Sequence, residues 1–278
     1  RDRLFFFGDY QGWRVKTPPA DAFATVAPEE WRRGDLSSLL AAGIVVRDPV
    51  TGQPFPNNQI PVERFSPFAR ALFANEALYP RPNVSRPLSD FRDNYRGTVE
   101  SSEKADQFDV KIDWNASQND KTYIRYSRQW YENTPKQAVM PLAFPTASDN
   151  PNWSIAANWN RIIGNNIVND LLVGYNNNAS NSMPVDLLGL GALGNQLGIG
   201  GTQAIPGLAE VRLGNTLTNI GTIGIGSNTH NRIYQVNERL TWVRGRHTLK
   251  FGMQWNYYRM ERYYSGNNGM LGFIDYTA

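Results

Sequence analysis

Gln107-Phe108-Asp109-Val110-Lys111-Ile112-Asp113-Trp114-Asn115-Ala116 is the stretch that decides the fold. Successive side chains of an extended chain point to opposite faces. Phe108, Val110, Ile112 and Trp114 therefore share one face, and Gln107, Asp109, Lys111, Asp113 and Asn115 share the other. A polar turn, Ser117-Gln118-Asn119-Asp120, follows. Beyond it, from Lys121 to Tyr131, Ile124 and Tyr126 oppose Arg125, Ser127 and Gln129. The two segments are a predicted β-hairpin.

Working outward, the same plan recurs. Trp153, Ile155, Ala157 and Trp159 alternate with Ser154, Ala156, Asn158 and Asn160. After Gly164-Asn165-Asn166, Leu171, Val173 and Tyr175 alternate with Asp170, Leu172, Gly174 and Asn176. A third hairpin sets Tyr234, Val236, Leu240 and Trp242 against Ile233, Gln235, Asn237, Arg239 and Thr241. It turns at Arg244-Gly245-Arg246 and returns with Leu249, Phe251, Met253, Trp255 and Tyr257 on the apolar face. Lys250, Gly252, Gln254, Asn256 and Tyr258 lie on the other. Adding Leu4 to Arg14 and a final piece near Gly272 to Tyr276 gives about eight strands.

Strands of about ten residues exceed the five or six usual in globular sheets and match the length a tilted strand needs to cross a bilayer. Connectors alternate between tight turns and long loops, at about 17–103, 133–152 and 179–231. In a meander this puts tight turns on one rim and long loops on the other, the asymmetry of outer-membrane barrels. Strands can cross hydrocarbon only where every backbone N–H and C=O is paired, which demands a closed barrel. One row of each strand then meets lipid and the other lines the lumen. Trp114, Trp130, Trp153, Trp159, Trp242 and Tyr257 are placed to form interfacial girdles. The fold expected is an all-β antiparallel meander of long strands from a partial transmembrane barrel, with long ordered loops on one rim. The proline-punctuated loop holds one expected helix, Pro67 to Ala77, and reads as a compact excursion. The Gly-, Leu- and Asn-rich segment Ala179 to Ser227 is expected to pack on itself.

Composition removes other classes. The 278 residues carry 28 basic and 25 acidic side chains, a net +3 too small and scattered to argue for nucleic acid. Cysteine is absent and only two histidines, His230 and His247, occur, which removes disulfides, thiolate chemistry and a multi-histidine metal centre. Neither a nucleophile elbow nor a metalloprotease motif is present, so no enzyme activity, cofactor or metal is expected. Gly189-Leu190-Gly191-Ala192-Leu193-Gly194 matches a dinucleotide fingerprint by letter, but that motif requires a strand before it, a helix after it and an acidic residue about 20 further on, whereas these glycines sit in a Gly-rich loop between two hairpins and read as loop. Hydrophobic residues are 41% of the chain yet aromatics reach 12%, a pairing suited to a wall wet on one side and apolar on the other. No run approaches a membrane-spanning helix. The opening Arg1-Asp2-Arg3-Leu4-Phe5-Phe6-Phe7 has no signal-peptide pattern and reads as mid-strand, so a piece of a longer protein is expected.

The lumen row supplies the candidate contacts with a ligand or a plug: Arg125, Asp170, Arg239, Lys250 and Gln254. A barrel also needs a polar, mutually paired interior for its own sake, and the pattern alone does not separate the two roles.

Several blocks resemble TonB-dependent receptors of the Oar-like type. They are Arg1 to Gly12 (RDRLFFFGDYQG), Arg33 to Ser37, Arg47 to Pro61 (RDPVTGQPFPNNQIP), Arg64 to Pro67, Asp106 to Asp113 and Val243 to Gly252 (VRGRHTLKFG). The resemblance spans nearly the whole chain, 1–278, read as one partial receptor barrel. It implies a 22-stranded outer-membrane barrel with an N-terminal plug, taking up scarce ligands with energy relayed by TonB. Plug, TonB box and closing strand are not visible, so TonB contacts map to no residue here. The implied partners are outer-membrane lipid, the receptor's own plug, the TonB complex through that plug, and an unknown ligand. The implied location is the outer membrane of a Gram-negative cell. Alternatives are a barrel for adhesion or surface assembly without transport, a plugless porin, and a soluble β-sandwich, which requires the aromatic face to be buried against a second sheet.

Overall fold

The computed structural model describes residues 3–199, 203, 205–214, 216–224 and 226–276; Arg1 and Asp2 of the opening block lie outside them. Its strands are β1 (Leu4–Ala24), β2 (Tyr95–Asn115), β3 (Asp120–Gln137), β4 (Thr146–Asp149), β5 (Asn152–Ile163), β6 (Ile167–Pro184), β7 (Glu210–Arg212), β8 (Ser227–Arg244), β9 (His247–Tyr264) and β10 (Phe273–Asp275). Eight of them form one antiparallel sheet, in which β4 and β5 lie end to end in a single position between β3 and β6. The sheet therefore crosses seven times. Among the described residues β1 pairs only with β2 and β9 only with β8, so the sheet is open.

The alternation read from the sequence fixes the register. Val110 faces Tyr126, Tyr126 faces Ile155, Ile155 faces Tyr175, Tyr175 faces Tyr234 and Tyr234 faces Tyr257. Directly paired residues project from the same face, so the apolar rows of all the crossings merge into one surface. That surface is open: Phe6 is 89% exposed, Ile124 51% and Trp255 51%. On the opposite face of β2, Asp109 is 4% exposed. A β-sandwich would bury the aromatic rows, and they are not buried.

Three expectations are corrected. The long strands run 18 to 21 residues, not about ten. On β9 the apolar row occupies only Leu249 to Tyr257, and Arg259 and Glu261 continue it. Nine residues at about 3.4 Å each, tilted by about 40°, rise about 23 Å, close to the apolar band of an outer-membrane barrel. The alternation thus measured the membrane-crossing part, and the pairing continues past it toward the long loops. The loops are correspondingly shorter than 17–103, 133–152 and 179–231: β1 reaches Ala24, β2 starts at Tyr95, β3 reaches Gln137, and β6 and β8 run to Pro184 and from Ser227. Lastly, the piece near Gly272 is no wall strand: β10 pairs in parallel with β7, inside the loops.

The turns behave as their residues dictate. Gly164 and Gly245 both adopt φ 61, which the tight β5–β6 and β8–β9 turns require and which glycine takes without steric cost. The helix expected at Pro67 to Ala77 is observed as Pro67–Ala74, with Ser66 Oγ accepting from Ala69 N at its N-terminus.

The buried core lies in the loops. Ala24, Val26, Leu72, Tyr79, Met140, Leu142, Leu193, Leu208, Val211 and Ile220 form one cluster. The segment Ala179 to Ser227 does not simply pack on itself, because backbone bonds stitch the loops together. Thr218 N donates to Thr25 O (2.9 Å), Gly221 N to Leu142 O (2.8 Å) and Glu210 N to Gly272 O (3.1 Å). Asn94, 2% exposed, clamps the strand exit: its Oδ1 accepts from Val26 N and its Nδ2 donates to Val26 O, both at 2.8 Å. The Arg47 to Pro61 block is a compact hairpin pinned by two side chains. Asp48 Oδ1 accepts from Val50 N and from Arg64 Nη2, and Asn58, 1% exposed, bonds Ile44 O and Val46 N.

Candidate functional site

All five candidate residues lie on the polar face, and the structure divides them. Arg125 belongs to a cluster on β2 and β3. Its Nε and Nη2 donate to Asp109 Oδ1 at 3.0 and 2.7 Å, the Ser127 hydroxyl donates to the same carboxylate, and Gln107 Nε2 reaches its Oδ2 at 3.2 Å. The register produces this cluster, since Asp109 faces Ser127 and Lys111 faces Arg125. Asp9 lies directly opposite Asp109 on β1, so Arg125 serves a locally acidic wall. Alongside, Lys111 Nζ donates to Asp113 Oδ1 at 2.7 Å.

Asp170, Arg239 and Gln254 converge on a separate open cleft of about 430 Å³, lined also by Leu172, Asn237 and Gly252. Three strands build it: Asp170 faces Arg239, Arg239 faces Gly252, and Asn237 faces Gln254. At Gly252 the backbone of β8 comes close, since a Cβ there would meet Glu238 O at 3.2 Å. Asp170 accepts from Asn158 Nδ2 (3.1 Å) and Asn160 Nδ2 (3.3 Å). Among the described residues nothing hydrogen-bonds or ion-pairs with the side chains of Arg239, Lys250 or Gln254, and Asn237 Oδ1 is buried without a partner. Lys250 faces Thr241 nearer the turns. The cleft thus offers a guanidinium and two amides with free hydrogen-bonding capacity. Such a set can orient an anionic or hydroxylated solute. Asn158, Asn160 and Asn237 were missed as site residues. Polar alternation places them on this face, but only cross-strand register shows which strands bring them together.

At the loop rim a second cleft, about 400 Å³, is lined by Val99, Pro135, Val139, Phe144 and Ile223, with Thr17 and Ser101 at its polar margin. It sits where β1, β2 and β3 meet the loop core, an apolar recess next to the polar wall. The loops above it are rigidly tied. Arg32, 8% exposed, donates from Nε to Ala27 O and from Nη1 to Tyr79 O (both 3.2 Å), and lies 4.8 Å from the Tyr79 ring centre. Burial pushes the Tyr79 hydroxyl above its ordinary pKa and the Arg32 guanidinium below its own. Arg81, bonded to Glu29 and Glu76, holds Glu29 below the usual carboxylate range.

The letters of the dinucleotide motif fall in this loop region. Gly189 and Gly191 take φ 67 and 68, and only the single helical turn Leu193–Gln196 follows. β6 ends at Pro184 before it, but among the described residues no helix long enough to present its N-terminus to a pyrophosphate follows, so it is a loop.

On the outer face the rings named as girdles form two belts. Trp114, Trp159 and Trp242 lie toward the tight turns, and Trp130, Trp153 and Tyr257 toward the loops. The loop-side belt is continuous: Tyr126–Trp153, Trp153–Tyr175, Tyr175–Tyr234 and Tyr234–Tyr257 ring centres are 6.3, 4.8, 4.9 and 5.9 Å apart. Aromatic rings collect at both membrane–water boundaries because they are apolar in body and polar at one edge. Among the described residues no helix is long and apolar enough to cross a membrane, so any crossing is made by strands.

No curated protein and no solved structure matches the chain significantly. A family model described as an outer membrane beta barrel domain matches residues 1–278. With an exposed apolar band, a polar opposite face and loops gathered at one rim, the chain belongs to the outer membrane β-barrel domain family and resides in the Gram-negative outer membrane.

Proposed function

We propose that the chain is wall and loop cap of a TonB-dependent receptor of the Oar-like type, serving energy-coupled uptake of a ligand. The observation that carries this reading is the unpaired polar set Arg239, Lys250, Gln254 and Asn237 on the lumen row, together with loops built around their own core. A purely structural lumen wall satisfies its charges internally, as Asp109 does with Arg125. Leaving a guanidinium and an ammonium free suits a surface that exchanges contacts with a passing solute or with a plug. In this reading the wall is passive: the loops capture, the polar cleft guides, and a plug engaged by TonB performs the energy-coupled step. Catalysis has no part in it.

Uptake tests it. Cells producing the full-length protein should accumulate the ligand only with an intact TonB system, and Arg239→Gln together with Lys250→Gln should lower uptake at limiting ligand. Uptake unchanged in a TonB deletion sinks the reading. Adhesion of such cells that persists without TonB favours the barrel as a surface-assembly protein, whose loops would be the contact surface.

A further inference from the structure

The apolar outer face ends abruptly toward the loops. The row one step toward the loops from Tyr126, Tyr175, Tyr234 and Tyr257 runs Phe108, Arg128, Trp153, Asn177, Arg232 and Arg259, so the belt ring Trp153 lies within it. Every charged residue in this row is an arginine. Arg232 and Arg259 are directly opposed on β8 and β9, an arrangement that repels unless anions intervene. One carboxylate is shared between them: Glu261 Oε1 lies 2.9 Å from Arg232 Nη1 and 2.6 Å from Arg259 Nη2. The trio keeps a net charge of +1. Arg128 stacks 4.7 Å over the Trp130 ring, and its Nε is buried without a partner among the described residues. The other acid one row higher, Asp106, is already used by Tyr10 Oη and Arg14 Nη2, both at 2.6 Å. It therefore does not neutralise the row.

We infer that this row is a binding site for the phosphate groups of outer-leaflet lipid. Three arguments place lipid there. The row continues the lipid-facing surface without a break, among rings that sit at the head-group boundary: Trp153 lies in it and Trp130 one step past it. It lies on the side of the long loops, which is the external side of an outer-membrane barrel. Its donors are guanidiniums, whose planar fork matches phosphate oxygens in pairs. Arg128 stands three strand positions from Arg232, about 14 Å. Trp153 and Asn177 form the floor between, room for one head group with more than one phosphate. A phosphate between Arg232 and Arg259 relieves the repulsion that Glu261 only half offsets.

The test uses the full-length protein in zwitterionic nanodiscs doped with a phosphorylated glucosamine lipid, the retained lipid being counted by native mass spectrometry. Wild type should retain phosphorylated lipid in preference to its dephosphorylated form. Each Arg→Gln change at 128, 232 and 259 should weaken retention about five-fold, the weight of one cation near an anionic surface. The triple Arg→Lys variant keeps the charge and should retain most of the binding, which separates charge from misfolding. If the Gln variants do not assemble, the wild-type preference must still fall as salt rises. Equal retention of both lipids by wild type overturns the inference, as does retention unaffected by the Gln changes. Displacement by millimolar inorganic phosphate also overturns it, since it would make the row a site for free anions.

Discussion

The wall and the loop cap are built from the same chain under opposite rules. In the wall, Phe6, Ile124, Val173 and Trp255 are open to the surroundings and the carboxylate of Asp109 is buried. In the cap, Leu142, Leu208 and Ile220 are fully buried, while Arg81 and Glu76 lie outside. The difference teaches that each region answers to its own solvent. Hydrocarbon accepts the wall's apolar rows but demands paired backbone, which the ladders supply. Water demands that the cap bury its apolar side chains and tolerates its irregular backbone. The boundary between the two falls along the strands themselves, at the step from Tyr257 to Arg259.

The sharpest way to break the comparison is to cut each region where only its own rule predicts harm. Leu142 is fully buried, and its carbonyl accepts from Gly221 N at 2.8 Å, where two loops meet. Leu142→Ala should cost the cap about 2–5 kcal/mol, as core truncations do. Limited proteolysis should then cut the loops faster, while the heat-modifiable migration of the barrel is unchanged. Loss of both together would mean that the cap is part of the wall's own folding unit.

Val173 makes the reciprocal case. It is 42% exposed, between Ala157 and Val236 at the middle of the apolar band. On a water-facing sheet an arginine there would change stability by no more than about 0.5 kcal/mol. In lipid, Val173→Arg should cost about 2–4 kcal/mol. Urea unfolding in vesicles distinguishes the two, and a near-neutral result there would refute the lipid assignment of this row.

How much was legible in the sequence follows the same division. The period-2 rows are local, so Phe108 to Trp114 or Leu249 to Tyr257 announces both strand and face. Strand ends were misjudged because the alternation breaks where charge enters the apolar row, as at Arg259 and Glu261 with Met260 on the other face, although the ladder continues there. The cap was unreadable because its contacts join distant segments: Thr25 with Thr218, Leu142 with Gly221, Glu210 with Gly272. Even Phe273 to Asp275, which reads as another wall strand, is taken up by Glu210 to Arg212 across a loop. In the site, the candidate residues were identifiable as polar-row members. Their split into a paired cluster and an unpaired cleft depends on which strands lie side by side.

The smallest expected effect is also the most informative about the wall. Glu238 stands on the lipid-facing row of β8, between Val236 and Leu240, with Leu171 and Met253 directly beside it on the flanking strands. Among the described residues nothing hydrogen-bonds or ion-pairs with its side chain. A carboxylate on the lipid face costs stability, though less than a basic residue at the same depth. Glu238→Leu should therefore stabilise the barrel in vesicles by about 1 kcal/mol, read as a rise in the urea midpoint at constant slope. The direction matters more than the size. Stabilisation means that lipid surrounds this position and the row is continuous from Tyr234 to Trp242. Destabilisation means that Glu238 is held by a polar group of another membrane-embedded chain, because only a partner lost on mutation can make leucine the worse residue among leucine, valine and methionine neighbours.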